Sequence, residues 1–155
     1  MKIRHEFLKI ALKKAQLQDA RNEFENLKEG AFKIFDASSI EEIEEIWETY
    51  WKRILMWNIM QGAKYNLPFL SIDSSDLNEA YVRVGYFTRT ELMERFEKAR
   101  EVINRYIEML DEKIGIEEEK MKELYDEFAG NTGALSEIFE NPGIRSLILN
   151  VLLAK

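Results

Sequence analysis

A chain of 155 residues fits one domain, large enough for folding to hide roughly two-thirds of its extended surface. Its 46% hydrophobic and 33% charged residues read as globular, and the lack of cysteine excludes disulfides, thiolate nucleophiles and zinc ribbons. The net charge of −7 argues against a general nucleic-acid binder, because phosphate neutralisation needs a basic surface.

The N-terminus, MKIRHEFLKIALKK, carries too many charges to be a signal peptide, and no apolar run approaches the ~20 residues needed to cross a bilayer. The expected location is the cytoplasm. A first helix is predicted over 2–29, ended by Gly30, a residue type favoured just past helix ends. Ile3, Ile10, Leu17 and Phe24 recur by sevens with Ala20 and Leu27 beside them, the seam of a helix packed along most of its length. Leu8, Ala11, Leu12 and Ala15 form a second apolar face in its first half.

After a short apolar link holding Phe32, Ile34 and Phe35, two serines offer helix starts: Ser38 with Glu41, or Ser39 with Glu42. Either pair matches the capping box, in which hydroxyl and carboxylate each satisfy an orphan backbone N–H. The second helix carries Ile40, Ile43, Trp47, Tyr50, Trp51, Ile54 and Trp57 on one face and Glu41, Glu42, Glu45 and Glu48 on the other. From Ile54 to Met60 the pattern fails, since Leu55, Met56, Ile59 and Met60 occupy the flanks; that segment is expected to be buried all round, inside the bundle or under a partner. Pro68 forbids continuation.

Residues 67–88 are ambiguous. A short helix from Ser74 or Ser75, ended by Gly85, is favoured over a strand at Tyr81–Phe87, because one strand cannot form a sheet alone. Thr88 and Glu91 repeat the capping box, and Leu92, Phe96, Ala99, Ile103, Tyr106 and Leu110 form the stripe of a third long helix. Gly115 either ends it or is passed, as Ile114, Met121, Leu124 and Phe128 carry the spacing onward. Beyond a break at Gly130–Gly133, Asn141 and Pro142 open a last helix with Ile144, Leu147, Ile148, Leu149, Val151, Leu152 and Leu153, too apolar to lie exposed. The fold class expected is all-α: an antiparallel helical bundle of three long helices plus short ones, as a single domain over 1–155.

Catalytic chemistry finds little support. The glutamates Glu41, Glu42, Glu44, Glu45 and Glu48 lack the Glu-x-x-His partners of di-iron bundles, and the chain's one histidine, His5, cannot define a triad. Asp73 and Asp76 read as turn and cap residues rather than a calcium loop, and no phosphate-binding glycine motif occurs. No enzyme activity, metal or cofactor is expected. Two binding readings remain. Trp51, Leu55, Ile59, Leu147, Ile148 and Val151 represent more apolar surface than one small bundle needs, which points to self-association or a place as a small subunit of a larger complex. Alternatively, a basic stripe of Lys2, Lys9 and Lys13, with Arg83 and Arg89 interleaved among Tyr81, Tyr86 and Phe87, suits nucleic acid.

Overall fold

The computed structural model describes residues 2–129 and Gly143, with side-chain surroundings from Arg4 to Glu127. The helix expected at 142–155, with Leu147, Ile148 and Val151, lies outside the described residues. Among those described the chain is helical and has no strand. Its elements are α1 (Lys2–Ala31), a 3₁₀ turn (Phe32–Asp36), α2 (Ile40–Ile46), a π-turn (Trp47–Trp51), α3 (Lys52–Leu55), a second π-turn (Asn58–Gly62), α4 (Ala63–Tyr65), α5 (Ser74–Val82) and α6 (Arg89–Ala129). Contacts divide the chain into two compact units: one from the described parts of Met1–Asp19 and Leu110–Lys155, the other Ala20–Met109.

In the first unit, Phe7, Ala11 and Leu17 of α1 and Leu110, Ile114 and Met121 of α6 are buried. Leu12, expected on an apolar face, is largely exposed. Two charged residues share the buried seam. Lys14 is 1% exposed and its ammonium lies 2.8 Å from Glu118; Glu117 is 4% exposed and receives Lys13 at 3.2 Å and Lys120 at 3.5 Å. A buried charge is tolerated only when paired, and the Lys13 and Lys14 pairs join the two helices.

The second unit holds the aromatic core. Phe24 meets Trp57 and Tyr106, each with ring centroids 4.9 Å apart, and Trp51 meets Phe96 at 4.9 Å. Tyr81 of α5 stacks on Trp47 at 4.7 Å. Indole N–H groups in such a core need acceptors. Trp51 donates to Ala31 O (3.0 Å) and Trp57 to the Tyr106 hydroxyl (3.1 Å).

These contacts set directions within the unit. Trp51 meets Ala31 while Gln61 meets Glu23, so the run from α2 to α4 opposes α1; Trp47 meets Phe96 while Trp57 meets Tyr106, so the run and α6 go the same way. Simple up-and-down alternation is therefore replaced, in this unit, by a return connection through residues 66–88. Arg89 closes it by donating to Phe35 O (3.0 Å) and Ala37 O (2.6 Å), capping carbonyls at the end of the 3₁₀ turn.

Helix ends follow local chemistry, with corrections at the two glycines expected as stops, Gly30 and Gly85. Gly30 does not stop α1, and no described glycine has positive φ; a Cβ there would fall within the Tyr50 ring, so glycine serves close packing. Of the two serines left open, Ser39 caps α2, accepting from Glu42 N–H (3.2 Å), while the Glu42 carboxylate turns back to Ser38 N–H (2.9 Å). Asp73 caps α5, which ends at Val82 ahead of Gly85. The Thr88–Glu91 box forms in both directions, and α6 passes through Gly115 without interruption.

The α2–α4 run ends on a left-handed residue, Asn66 (φ 53°), with Leu67 N–H bonded back to Gly62 O (2.9 Å). That is the Schellman arrangement, in which asparagine tolerates the left-handed backbone better than most residues, and Pro68 follows where helix cannot continue.

Candidate interaction surface

Between α2 and α4 the buried positions are Ile43, Trp47, Trp51, Ile54, Trp57 and Gly62. Steps of four residues drift by about 40° each on an α-helix. A π-turn takes an extra residue, and the two here, marked by Lys52 N–H to Trp47 O and Ala63 N–H to Asn58 O, realign the row so that Trp57 and Gly62 still face inward. The flanking apolar residues are then turned out. Met56 is 46% exposed, Ile59 76% and Met60 55%, and Leu55 is half-buried. The segment expected to be buried all round, inside the bundle or under a partner, is thus covered on one side only within this chain.

A further exposed phenylalanine is carried by a loop fastened to this run and to α6. The Asn58 amide pairs with Leu70 as a peptide would, accepting from Leu70 N–H and donating to Leu70 O, both at 2.7 Å. The Tyr106 hydroxyl donates to Pro68 O at 2.8 Å. Phe69, 75% exposed, sits between these two anchored residues, so its outward position carries little remaining backbone entropy.

The charge pattern changes at the same place. Exposed Glu41, Glu44, Glu45 and Glu48 occupy the outward side of the run's first half. From Thr49 to Ile72 there is no aspartate or glutamate, and the charged residues are Lys52, Arg53 and Lys64. At the junction Lys52 lies 2.6 Å from Glu48, which also accepts from the Tyr81 hydroxyl at 3.1 Å. The Lys52 hydrogen bond holds the Glu48 carboxyl below the usual carboxylate range, while the same bond raises Lys52. Glu42 is lowered as well, first by the Ser38 backbone N–H and then by its hydroxyl.

Of the sequence-predicted interface, Ile59 is at the centre of this surface and Leu55 at its edge, whereas Trp51 is fully buried and belongs to the core. The residues proposed for nucleic acid have different surroundings within their own units. Lys9 is exposed and Lys13 pairs with Glu117 in the first unit; Arg83 pairs with Glu79 (3.8 Å) and Arg89 is the carbonyl cap in the second. The side chain of Lys2 lies outside the described ones. Of the interleaved aromatics, Tyr81 is stacked on Trp47, Phe87 lies under the Arg95 guanidinium at 4.4 Å, and Tyr86 is exposed.

Residue-by-residue reading missed Phe69 and Lys14. The acid-free window around Phe69 is visible in the sequence, and Lys14 falls on the 7–11–14–17 spacing of the buried row, but its charge suggested solvent. His5 is exposed, and among the described residues no three His, Asp or Glu side chains are placed to hold a metal. No described helix is long and apolar enough to cross a membrane. No protein family, curated protein or solved structure matches the chain.

Proposed function

We propose that this chain is a non-enzymatic helical interaction protein of the cytoplasm, and that the surface of Met56, Ile59 and Met60 is where a protein partner binds. The carrying observation is the coincidence of three exposed apolar side chains with the acid-free window from Thr49 to Ile72. Exposed apolar residues scattered singly need no explanation, but three consecutive outward positions on one helical run form a patch that water solvates poorly. The helices supply the scaffold: the buried Trp47–Trp51–Trp57 row holds the run rigid from behind, and the Asn58 and Tyr106 hydrogen bonds fasten the Phe69 loop. A preorganised apolar surface with a basic rim is suited to binding rather than to chemistry.

The test is the triple substitution Met56→Gln, Ile59→Gln and Met60→Gln. A binding surface contributes little to the fold of the free chain, so stability should stay within about 0.5 kcal/mol of the parent while binding of an apolar fluorescent dye is lost. A loss of several kcal/mol would show that these side chains serve the fold, and the reading would fail.

A further inference from the structure

We propose that a hollow between α5 and α6 binds a small carboxylic acid, with its apolar body on the floor of the hollow and its carboxylate on the Lys98 ammonium. The site does not rest on the surface of Met56, Ile59 and Met60. Its volume is about 340 Å³. Leu77 and Ala99, both buried, form an apolar floor that half-buried Ile72 and Val102 extend.

The walls are fastened by bonds within the chain. Leu70, held in both directions by the Asn58 amide, fixes the start of the segment 71–73, and Asp73 secures its end by accepting from Asp76 N–H at 3.0 Å. At the rim Asp76 of α5 meets Arg95 of α6 at 2.7 Å, and the Phe87 ring backs the same guanidinium at 4.4 Å. A preformed apolar hollow of this volume is at the lower end of the range for small-molecule sites, which excludes a helix or a nucleic-acid strand as its occupant. The rim decides the charge of that occupant. Asp76 and Arg95 neutralise each other, and Asp73 is engaged at the N-terminus of α5, where backbone N–H groups balance negative charge. Lys98 is exposed at the mouth and makes no ion pair or hydrogen bond among the described residues. Glu94, one turn earlier on α6, lines an adjoining hollow with Lys98 without pairing to it. A partnerless ammonium above an apolar floor selects a ligand with an apolar body and one anionic end. A single negative charge is accommodated, whereas Asp73 and Asp76 on the same rim would repel a phosphate dianion.

The experiment is an amide-resolved NMR titration of the full chain with 3-phenylpropionate and two controls. The amide 3-phenylpropionamide keeps the body without the charge, and acetate keeps the charge without the body. Saturable shifts are expected at Leu77, Ala99 and Val102, with a dissociation constant on the order of millimolar. Lys98→Met, or exchange of the acid for the amide, should weaken binding about threefold to tenfold, and Lys98→Arg should retain it. Because Lys98 is exposed, Lys98→Met should leave thermal unfolding unchanged, so that its effect on binding is read on an intact fold. Absence of saturable shifts at tens of millimolar acid overturns the site. Equal binding of acid and amide, or indifference to Lys98→Met, overturns the anionic end and its partner. Acetate producing the same shifts with the same affinity means an adventitious ion only, and overturns the apolar floor as the binding element.

Discussion

Replacing Tyr106 by phenylalanine removes one oxygen that serves two hydrogen bonds, accepting from the Trp57 indole at 3.1 Å and donating to Pro68 O at 2.8 Å. The ring itself stays, so its packing on Phe24 is kept. Pro68 is half-buried and its carbonyl can turn to water, so that bond is worth about 1 kcal/mol or less. Trp57 is 1% exposed, and its N–H would be left buried without an acceptor, which costs about 1–3 kcal/mol. The expected loss is therefore about 2–4 kcal/mol. All three tryptophans, Trp47, Trp51 and Trp57, lie in the Ala20–Met109 unit, so denaturant unfolding followed by tryptophan fluorescence reports on that unit directly. Trp57→Phe removes the donor, and in the double variant the Tyr106 substitution should cost at least about 1 kcal/mol less than it does alone. A single-variant loss below about 1 kcal/mol, or strict additivity, would refute the account of this core as held by a shared hydroxyl. Faster amide exchange at Leu70 in Tyr106→Phe would show the same bond reaching the Phe69 loop.

The glycines inside α1 and α6 should respond oppositely: Gly30→Ala places a methyl in the Tyr50 ring and should destabilise by about 1–3 kcal/mol, whereas Gly115→Ala meets nothing within 4 Å and should stabilise by about 0.5–1 kcal/mol, both read from thermal unfolding. Lys14→Met should leave stability within about 1 kcal/mol of the parent or raise it, while Lys14→Ala, which removes the partner of Glu118 and opens a void, should cost about 2–4 kcal/mol; equal losses would contradict the burial of this ammonium. Burial raises the Tyr106 phenol above its ordinary value, so its contribution is complete below that value and lost as pH rises through the folded one. Alkaline titration followed by phenolate absorbance should show a late step that disappears in Tyr106→Phe. Glu42 and Glu48 are shifted the other way, so what they contribute is present above the ordinary carboxylate range and lost as pH falls through their folded values. Amide protection at the start of α2 should fade in acid; protection unchanged down to full protonation would contradict the Ser38–Glu42 bonds.

What the sequence by itself determined was whatever depends on neighbours within a turn or two. The helical class, the Thr88–Glu91 box and the Leu92–Leu110 stripe were legible because capping and 3.6-residue periodicity are local. Even the charge reversal near Lys52 lies open in the residue order. Tertiary structure decided the rest, because each remaining outcome depends on groups distant in the chain. Position 30, inside α1, has room for no Cβ because the Tyr50 ring fills the space, and Lys14 is buried where Glu118 arrives from α6. The run from α2 to α4 parallels the facing part of α6 because residues 66–88 carry the chain back. The candidate surface belongs to the same class: the π-turns keep Trp57 and Gly62 inward so that packing is continuous, and in doing so leave Met56, Ile59 and Met60 outside. Regular periodicity cannot foretell a register shift that the energy of a distant core selects.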